Sequence, residues 1–151
     1  MNQDIIALEY ELRRLADIIK NEGRQELIAY NISDVQFIAV QWIKETDAMT
    51  IGALSKHLNL AISSTSELVD QLVQKEFAVR RKDDEDKRKV NIHLTERGQQ
   101  LIDDVIIKRQ RYLQSLVKAS EYSVKDYYKH THALYKETEE GERIESSDRS
   151  N

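Results

Sequence analysis

The sequence predicts a mainly α-helical protein with one small β-hairpin, arranged as a winged helix-turn-helix. Three observations carry that expectation. Apolar residues recur every three or four positions over most of the chain. A short amphipathic segment, Ile51 to His57, is followed after Asn59-Leu60 by a longer one, about Ala61 to Glu76, whose start is rich in hydroxyls. Directly after it, Phe77–Lys82 and Val90–Leu94 flank a charged tip and run into another helix.

Each element has its own signal. Over residues 4–22, Ile5, Leu8, Leu12, Leu15 and Ile19 step by three and four, the spacing of a coiled-coil seam, widened by Ile6 and Ile18 and stopped at Gly23. Such a stripe can lie on its own domain or on another subunit; its terminal place and narrow seam favour the second. Ser33-Asp34-Val35-Gln36 fits a capping box and opens a helix over about 34–45. Val35, Phe37, Ile38, Val40, Trp42 and Ile43 leave it apolar nearly all round, which places it at the buried centre. Thr50 caps the short helix from Ile51, with Ile51, Leu54 and Leu58 on one face. The next helix buries Leu68 and Leu72, with Thr65 and Val69 beside them. Its run Ser63-Ser64-Thr65-Ser66 is too rich in hydroxyls to serve helix propensity alone. In the ribbon, Val90, Ile92 and Leu94 face one way and Lys89, Asn91 and His93 the other. Thr95 then caps a helix reaching about Lys118, striped by Leu101, Val105, Tyr112 and Leu116. Ser123-x-x-Asp126 opens a last helix, about 123–137, with Val124, Tyr127, Tyr128, Thr131 and Leu134 inward. From Glu139 onward the chain is polar, acidic and aperiodic, and reads as a disordered tail.

Composition narrows the function. With 151 residues, 40% hydrophobic and 33% charged, the chain suits one globular domain with a sizeable core. It offers no run of apolar residues long enough for a membrane span and no basic-then-apolar leader, so a cytoplasmic place is expected. Cysteine is absent, which excludes disulfides, thiolate metal sites and thiol oxidation as a signal. Four glycines form no phosphate-binding loop. No nucleophile, base and orienting group stand at a recognisable spacing, so no catalytic residue is expected, and no cofactor. His130 and His132 lie two apart on a helix and diverge, while His57 and His93 are isolated, so no metal site is expected either. The net charge of −4 is misleading: six acids and two bases from Glu137 onward account for all of it. The first 136 residues are neutral, and a local basic patch within them is compatible with an anionic partner.

That patch is the hairpin tip. Long basic side chains on a ribbon suit the narrow, strongly negative minor groove of duplex DNA, which accepts an inserted Arg. The helix Ala61–Glu76 would lie in the major groove while Arg88 reaches the minor groove, with Arg80, Arg81, Lys82, Lys87 and Lys89 near phosphates. Asp86 is expected to hold Arg88, or a strand arginine, by a charge-assisted hydrogen bond. Asp83, Asp84 and Glu85 have no such counter-role in the sequence and oppose an anionic partner.

At this point the residues resemble a known family. Asp86-x-Arg88, five residues, then Leu94-Thr95-x-x-Gly98 is similar to the wing signature of the MarR family of bacterial winged-helix transcription regulators. The likeness continues upstream through Met49-Thr50-Ile51-Gly52-Ala53-Leu54, His57-Leu58-Asn59-Leu60 and Leu68-Val69-Asp70-Gln71-Leu72, covering about residues 33–110. It implies a homodimer with N- and C-terminal dimerisation helices, a pseudo-palindromic double-stranded DNA operator, and usually repression relieved by a small, often aromatic ligand. It also implies four regions: a dimerisation helix over 1–32, the DNA-binding domain over 33–98, further dimerisation helices over 99–138 and the tail over 139–151. By the same likeness Arg88 is the minor-groove residue ordered by Asp86. Ser63, Ser64, Thr65 and Ser66, with Glu67 and Gln71, stand at the recognition-helix positions. Ile5, Leu8, Leu12, Leu15, Ile19, Tyr112 and Leu116 are the expected dimer contacts. The chain departs from the family pattern in three ways: Ile62, Glu67 and Gln71 replace recognition-helix bases, Ala61 replaces a capping Ser, and Glu76 replaces a Gly. The competing expectation is a winged-helix module that binds another protein, with the acidic helix as its contact surface.

Overall fold

The computed structural model describes the backbone of residues Met1–Asp148 and the side chains through Glu139. The chain forms two compact units, Met1–Arg109 and the part from Gln110 onward. The first contains α1 (Gln3–Glu22), α2 (Arg24–Ala29), α3 (Asp34–Glu45), α4 (Ile51–Leu58), α5 (Ile62–Gln74), β1 (Ala78–Lys82), β2 (Val90–Leu94) and most of α6 (Glu96–Ala119); α7 (Val124–Asp148) lies in the second.

The helix starts follow their caps. Ser33 Oγ accepts from the Gln36 amide and Gln36 Oε1 accepts from the Ser33 amide, completing the capping box. Thr50 Oγ1 accepts from the Ala53 amide at the start of α4. Ala61 gives α5 no side-chain cap. Between α4 and α5, Asn59 takes a left-handed conformation (φ 52°), which Asn tolerates better than most residues, and this makes the tight turn.

Phe37, Val40, Leu54, Val69, Leu72, Phe77, Ile92, Leu101 and Val105 form the core of the first unit. One expectation about it needs correction. The helix α3 is not buried all round: Val35 and Ile38 are exposed, because the core lies against its Phe37, Val40 and Ile43 side. The helix α2 carries no periodic signal, since Leu27 is its only buried residue. Gly23 ends α1 without a left-handed turn (φ −82°). Its lack of a side chain matters for packing, as a Cβ there would stand 2.7 Å from Val105 Cγ1.

The two strands pair antiparallel, from Ala78 opposite Leu94 to Lys82 opposite Val90. The ribbon is anchored at its inner half, where the Ile92 amide donates to Met49 O at 2.7 Å. The expected alternation is kept only in part: Ile92 is buried and Leu94 packs partly against the core, but His93 is half-covered as well. Val90 is exposed because the ribbon extends beyond the core, and Asn91, expected outward, is buried.

In the second unit, Ser123 and Asp126 cap α7 reciprocally. Val124, Tyr127, Tyr128, Thr131 and Leu134, expected inward, are all exposed in the single chain. The backbone stays helical through Asp148, so the tail expected from Glu139 is not irregular over that stretch; the good helix formers Glu and Arg substitute for apolar periodicity. The last part of that expectation, 149–151, lies outside the described residues.

Candidate nucleic-acid interface

The interface is built from α5 and the hairpin. On α5, Thr65, Leu68, Val69 and Leu72 turn inward, leaving Ile62, Ser63, Ser64 and Glu67 on the exposed side with Ser66 half-buried. Thr65 is removed from the candidate contacts. It is completely buried, and its hydroxyl donates to Ala61 O at 3.0 Å. Gln71 is also engaged elsewhere: its Oε1 accepts from Gln36 Nε2 at 2.6 Å. Gln36 is itself buried, and its Oε1 lies 3.3 Å from Lys75 Nζ, which also donates to Asn31 O. These contacts tie the end of α5 to the start of α3, a link that sequence spacing could not reveal because its partners lie 35 positions apart.

Arg80 does not stand free on its strand. Its Nη1 lies 2.7 Å from Asp70 Oδ1, and its Nη2 donates to Ser66 O at 3.5 Å. An exposed pair like this is worth at most about 1 kcal/mol, so it places charge more than it holds the fold. One acid of α5 is thereby offset. Among the described residues Glu67 forms no ion pair.

At the tip, Arg88 donates from its backbone amide and from Nε to Asp86 Oδ1, each at 3.1 Å, and from Nη2 to Oδ2 at 3.4 Å. The Arg88 side chain is nevertheless 92% exposed, so it is oriented without being covered. The Arg88 side chain, then its amide, holds the Asp86 carboxyl below its ordinary pKa. Asp83 gains a role that charge alone concealed. Its Oδ1 accepts from the amides of Glu85 and Asp86, and its Oδ2 accepts from the buried Asn91. The amide of Asp86, then the Asn91 side chain, lowers its pKa as well. Asp83 therefore closes the tip as an Asx turn, a pattern available in principle from an Asp opening a short polar loop. Nothing in the structure explains Asp84 and Glu85. Arg81, Lys82, Lys87 and Lys89 are exposed along the same ribbon.

The wing is fixed to α6 by backbone proximity. Thr95 Oγ1 donates to Glu76 O, accepts from the Gly98 amide at 3.1 Å, and so caps α6 while touching the end of α5. A Cβ on Gly98 would stand 2.2 Å from Phe77 O, so this position admits only glycine without backbone movement. The Thr-x-x-Gly spacing is thus a packing requirement. With a two-helix corner, an exposed hydroxyl-bearing helix and a ribbon locked behind it by this junction, the architecture is settled, and comparison with known proteins agrees. Residues 32–90 match the MarR family model. The chain is similar to the HTH-type transcriptional regulator YsmB of Bacillus subtilis, at 41% identity over 117 residues, 78% of this chain and 80% of that protein.

The chain belongs to the MarR family.

A MarR family protein from Bacillus stearothermophilus has 35% identity and a TM-score of 0.74 over 93% of this chain and 97% of that one. The S. aureus MepR–DNA complex shares the fold, with 21% identity and a TM-score of 0.67 over 88% of this chain and 98% of that one. MarR proteins are non-enzymatic transcription regulators with a DNA-binding winged-helix fold. Among the described residues no helix is long and apolar enough to cross a membrane, and no cluster of His, Asp or Glu could hold a metal ion.

One cavity lies within the first unit, about 120 Å³, lined by Lys20, Arg24, Leu27, Phe37, Ile38 and Arg109 among others. Arg109 sits 5.7 Å from the Phe37 ring centroid, and its Nε is buried without a hydrogen-bond partner. Burial pushes the guanidinium below its usual pKa, although such a group stays charged.

Proposed function

We propose that this MarR protein is a homodimeric, sequence-specific regulator that binds a pseudo-palindromic operator, acts as a repressor, and releases DNA when a small ligand binds. The observation that carries the reading is the oriented but exposed Arg88, presented beside a helix whose outer face carries Ser63, Ser64 and Ser66. In this reading α5 occupies the major groove, Arg88 enters the adjacent minor groove, and Arg81, Lys82, Lys87 and Lys89 neutralise phosphates. Arg80 serves by neutralising Asp70. DNA bound to MepR, a protein of the same fold, supports the choice of partner.

The regions follow from exposed apolar faces. No residue of α1 is buried, and Ile5, Leu8, Leu12 and Leu15 are all exposed, while Ile19 is half-covered. Tyr112 and Leu116 are half-covered and the α7 tyrosines stand open. The helices of residues 1–32 and 99–138 therefore meet a second copy, with 33–98 as the DNA-binding part. Ligand release is supported by the cavity at Arg109. An orphaned guanidinium nitrogen over an aromatic floor suits an aromatic acid. Asp34, which also lines it, begins α3, and α3 holds α5 through Gln36 and Gln71.

The test is binding of fluorescent operator duplexes followed by anisotropy over a salt series, with and without aromatic carboxylates. Wild-type protein should lose affinity with a slope of about −0.9 per phosphate neutralised, and the carboxylate should weaken binding. Arg88→Ala should weaken binding about tenfold without altering the melting temperature. A protein-binding module would instead bind DNA weakly and show no such slope.

A further inference from the structure

We propose that Ile62 is a specificity-determining residue that reads the 5-methyl group of one thymine in each operator half-site. The inference rests on the DNA-binding reading above and names a chemical feature of the sequence it recognises. Ile62 is the first residue of α5 and is 65% exposed, whereas Leu68, Val69 and Leu72 of that helix are at most 7% exposed and Val73 packs partly against the core. A β-branched side chain at the exposed start of a helix contributes nothing to the core. It is flanked by the hydroxyls of Ser63 and Ser64, which are also exposed. An apolar group beside hydroxyl donors complements the major-groove edge of thymine, which presents a methyl group next to the O4 acceptor.

The rest of the helix excludes the commonest alternative. Between Ile62 and Gln74 there is no Arg or Lys, so α5 cannot make the bidentate donation to guanine O6 and N7. The cations that are present occupy other places: Lys75 is bonded to Asn31 and Gln36 at the far end, and Arg80 is engaged with Asp70. The exposed start of α5 therefore has apolar contact and hydroxyl donation as its means of distinguishing bases.

The experiment begins with duplexes selected from a random pool by the full-length protein. Each thymine of the selected half-site is then replaced singly by deoxyuridine, which removes the methyl and leaves every hydrogen-bonding group in place. Affinities are measured at one salt concentration for wild type, Ile62→Val and Ile62→Ala. For wild type, one thymine per half-site should cost about fourfold when demethylated, the equivalent of burying one methyl-sized group. That penalty should shrink in Ile62→Val and vanish in Ile62→Ala, whose melting temperature should equal the wild type's. The proposal is overturned if no thymine shows a penalty, or if the penalty persists in Ile62→Ala. In either case salt-dependent binding of the selected duplex, and its loss in Arg88→Ala, would leave the DNA-binding reading intact. If no duplex is enriched at all, both fail together.

Discussion

Two neighbouring positions show how single residues set the junction behind the wing. Glu76 is the left-handed residue (φ 63°) of a Schellman ending, with the Glu76 amide bonded to Val73 O and the Phe77 amide to Leu72 O. A side chain in that conformation costs about 1–2 kcal/mol, partly offset by the greater chain entropy that glycine would lose on folding. Glu76→Gly should therefore raise the unfolding free energy by up to about 1 kcal/mol in a denaturant titration. Gly98→Ala should do the reverse. Its new Cβ meets backbone rather than a movable side chain, so a loss of about 1–3 kcal/mol is expected in the same measurement. The Gly98 requirement was legible as a motif, but its cause was not, because Phe77 O comes from a strand boundary twenty-one residues upstream. Thr65 was legible in two ways at once, as hydroxyl and as part of the inward stripe, and the inward stripe prevailed. Gln71 is a different case: it stands exposed on α5, but its Oε1 accepts from the buried Gln36, a partner that its place in the sequence does not disclose.

Elements were easier to read than their surroundings. The capping box at Ser33, the cap at Thr50 and the start of α6 after Thr95 follow from local hydrogen bonding, which neighbouring letters encode. The helix α2 and the bridge between Met49 and Ile92 depend on tertiary packing and have no periodic signature. The hairpin tip lies between these cases. Its acids looked like a cost, yet Asp83 and Asp86 are the acceptors that close it. Both carboxyls have lowered pKa values in the folded state. Their contribution is therefore complete above the ordinary carboxylate value of 3.8 and is lost as pH falls through the depressed values. Amide resonances of Glu85, Asp86 and Arg88 should shift together on acidification below about pH 4, before the core signals of Val69 or Leu101 change. Tip resonances that stay constant until global unfolding would contradict this assignment.

At the scale of the molecule, the exposed stripe on α1 has the clearest consequence. Leu8→Glu together with Leu12→Glu should give a monomer in sedimentation velocity, since two charges would have to be buried in an apolar seam. The melting of the first unit's core should persist, because α1 buries none of its residues there. The same variant should lose most of its operator affinity, as two half-sites about 34 Å apart require linked lobes. A monomer retaining full affinity would refute the two-lobe arrangement. The apolar stripe of α1 was visible in the N-terminal spacing, and its service as a dimer seam is the proposal that this variant tests. The inward assignment of the α7 tyrosines was not sound, because periodicity marks an apolar face without saying whether its partner lies in the same chain.

The Thr95 bonds to Glu76 O and to the Gly98 amide, with Gly98 packed on Phe77 O, fasten ribbon to helix, and the reach from one to the other is then a fixed span. Calipers that cannot be opened leave all adjustment to the object they grip. On the proposed docking the duplex would have to narrow or flex until its two grooves met that span, and steps that yield cheaply, such as TA and CA, would be favoured where no side chain touches them.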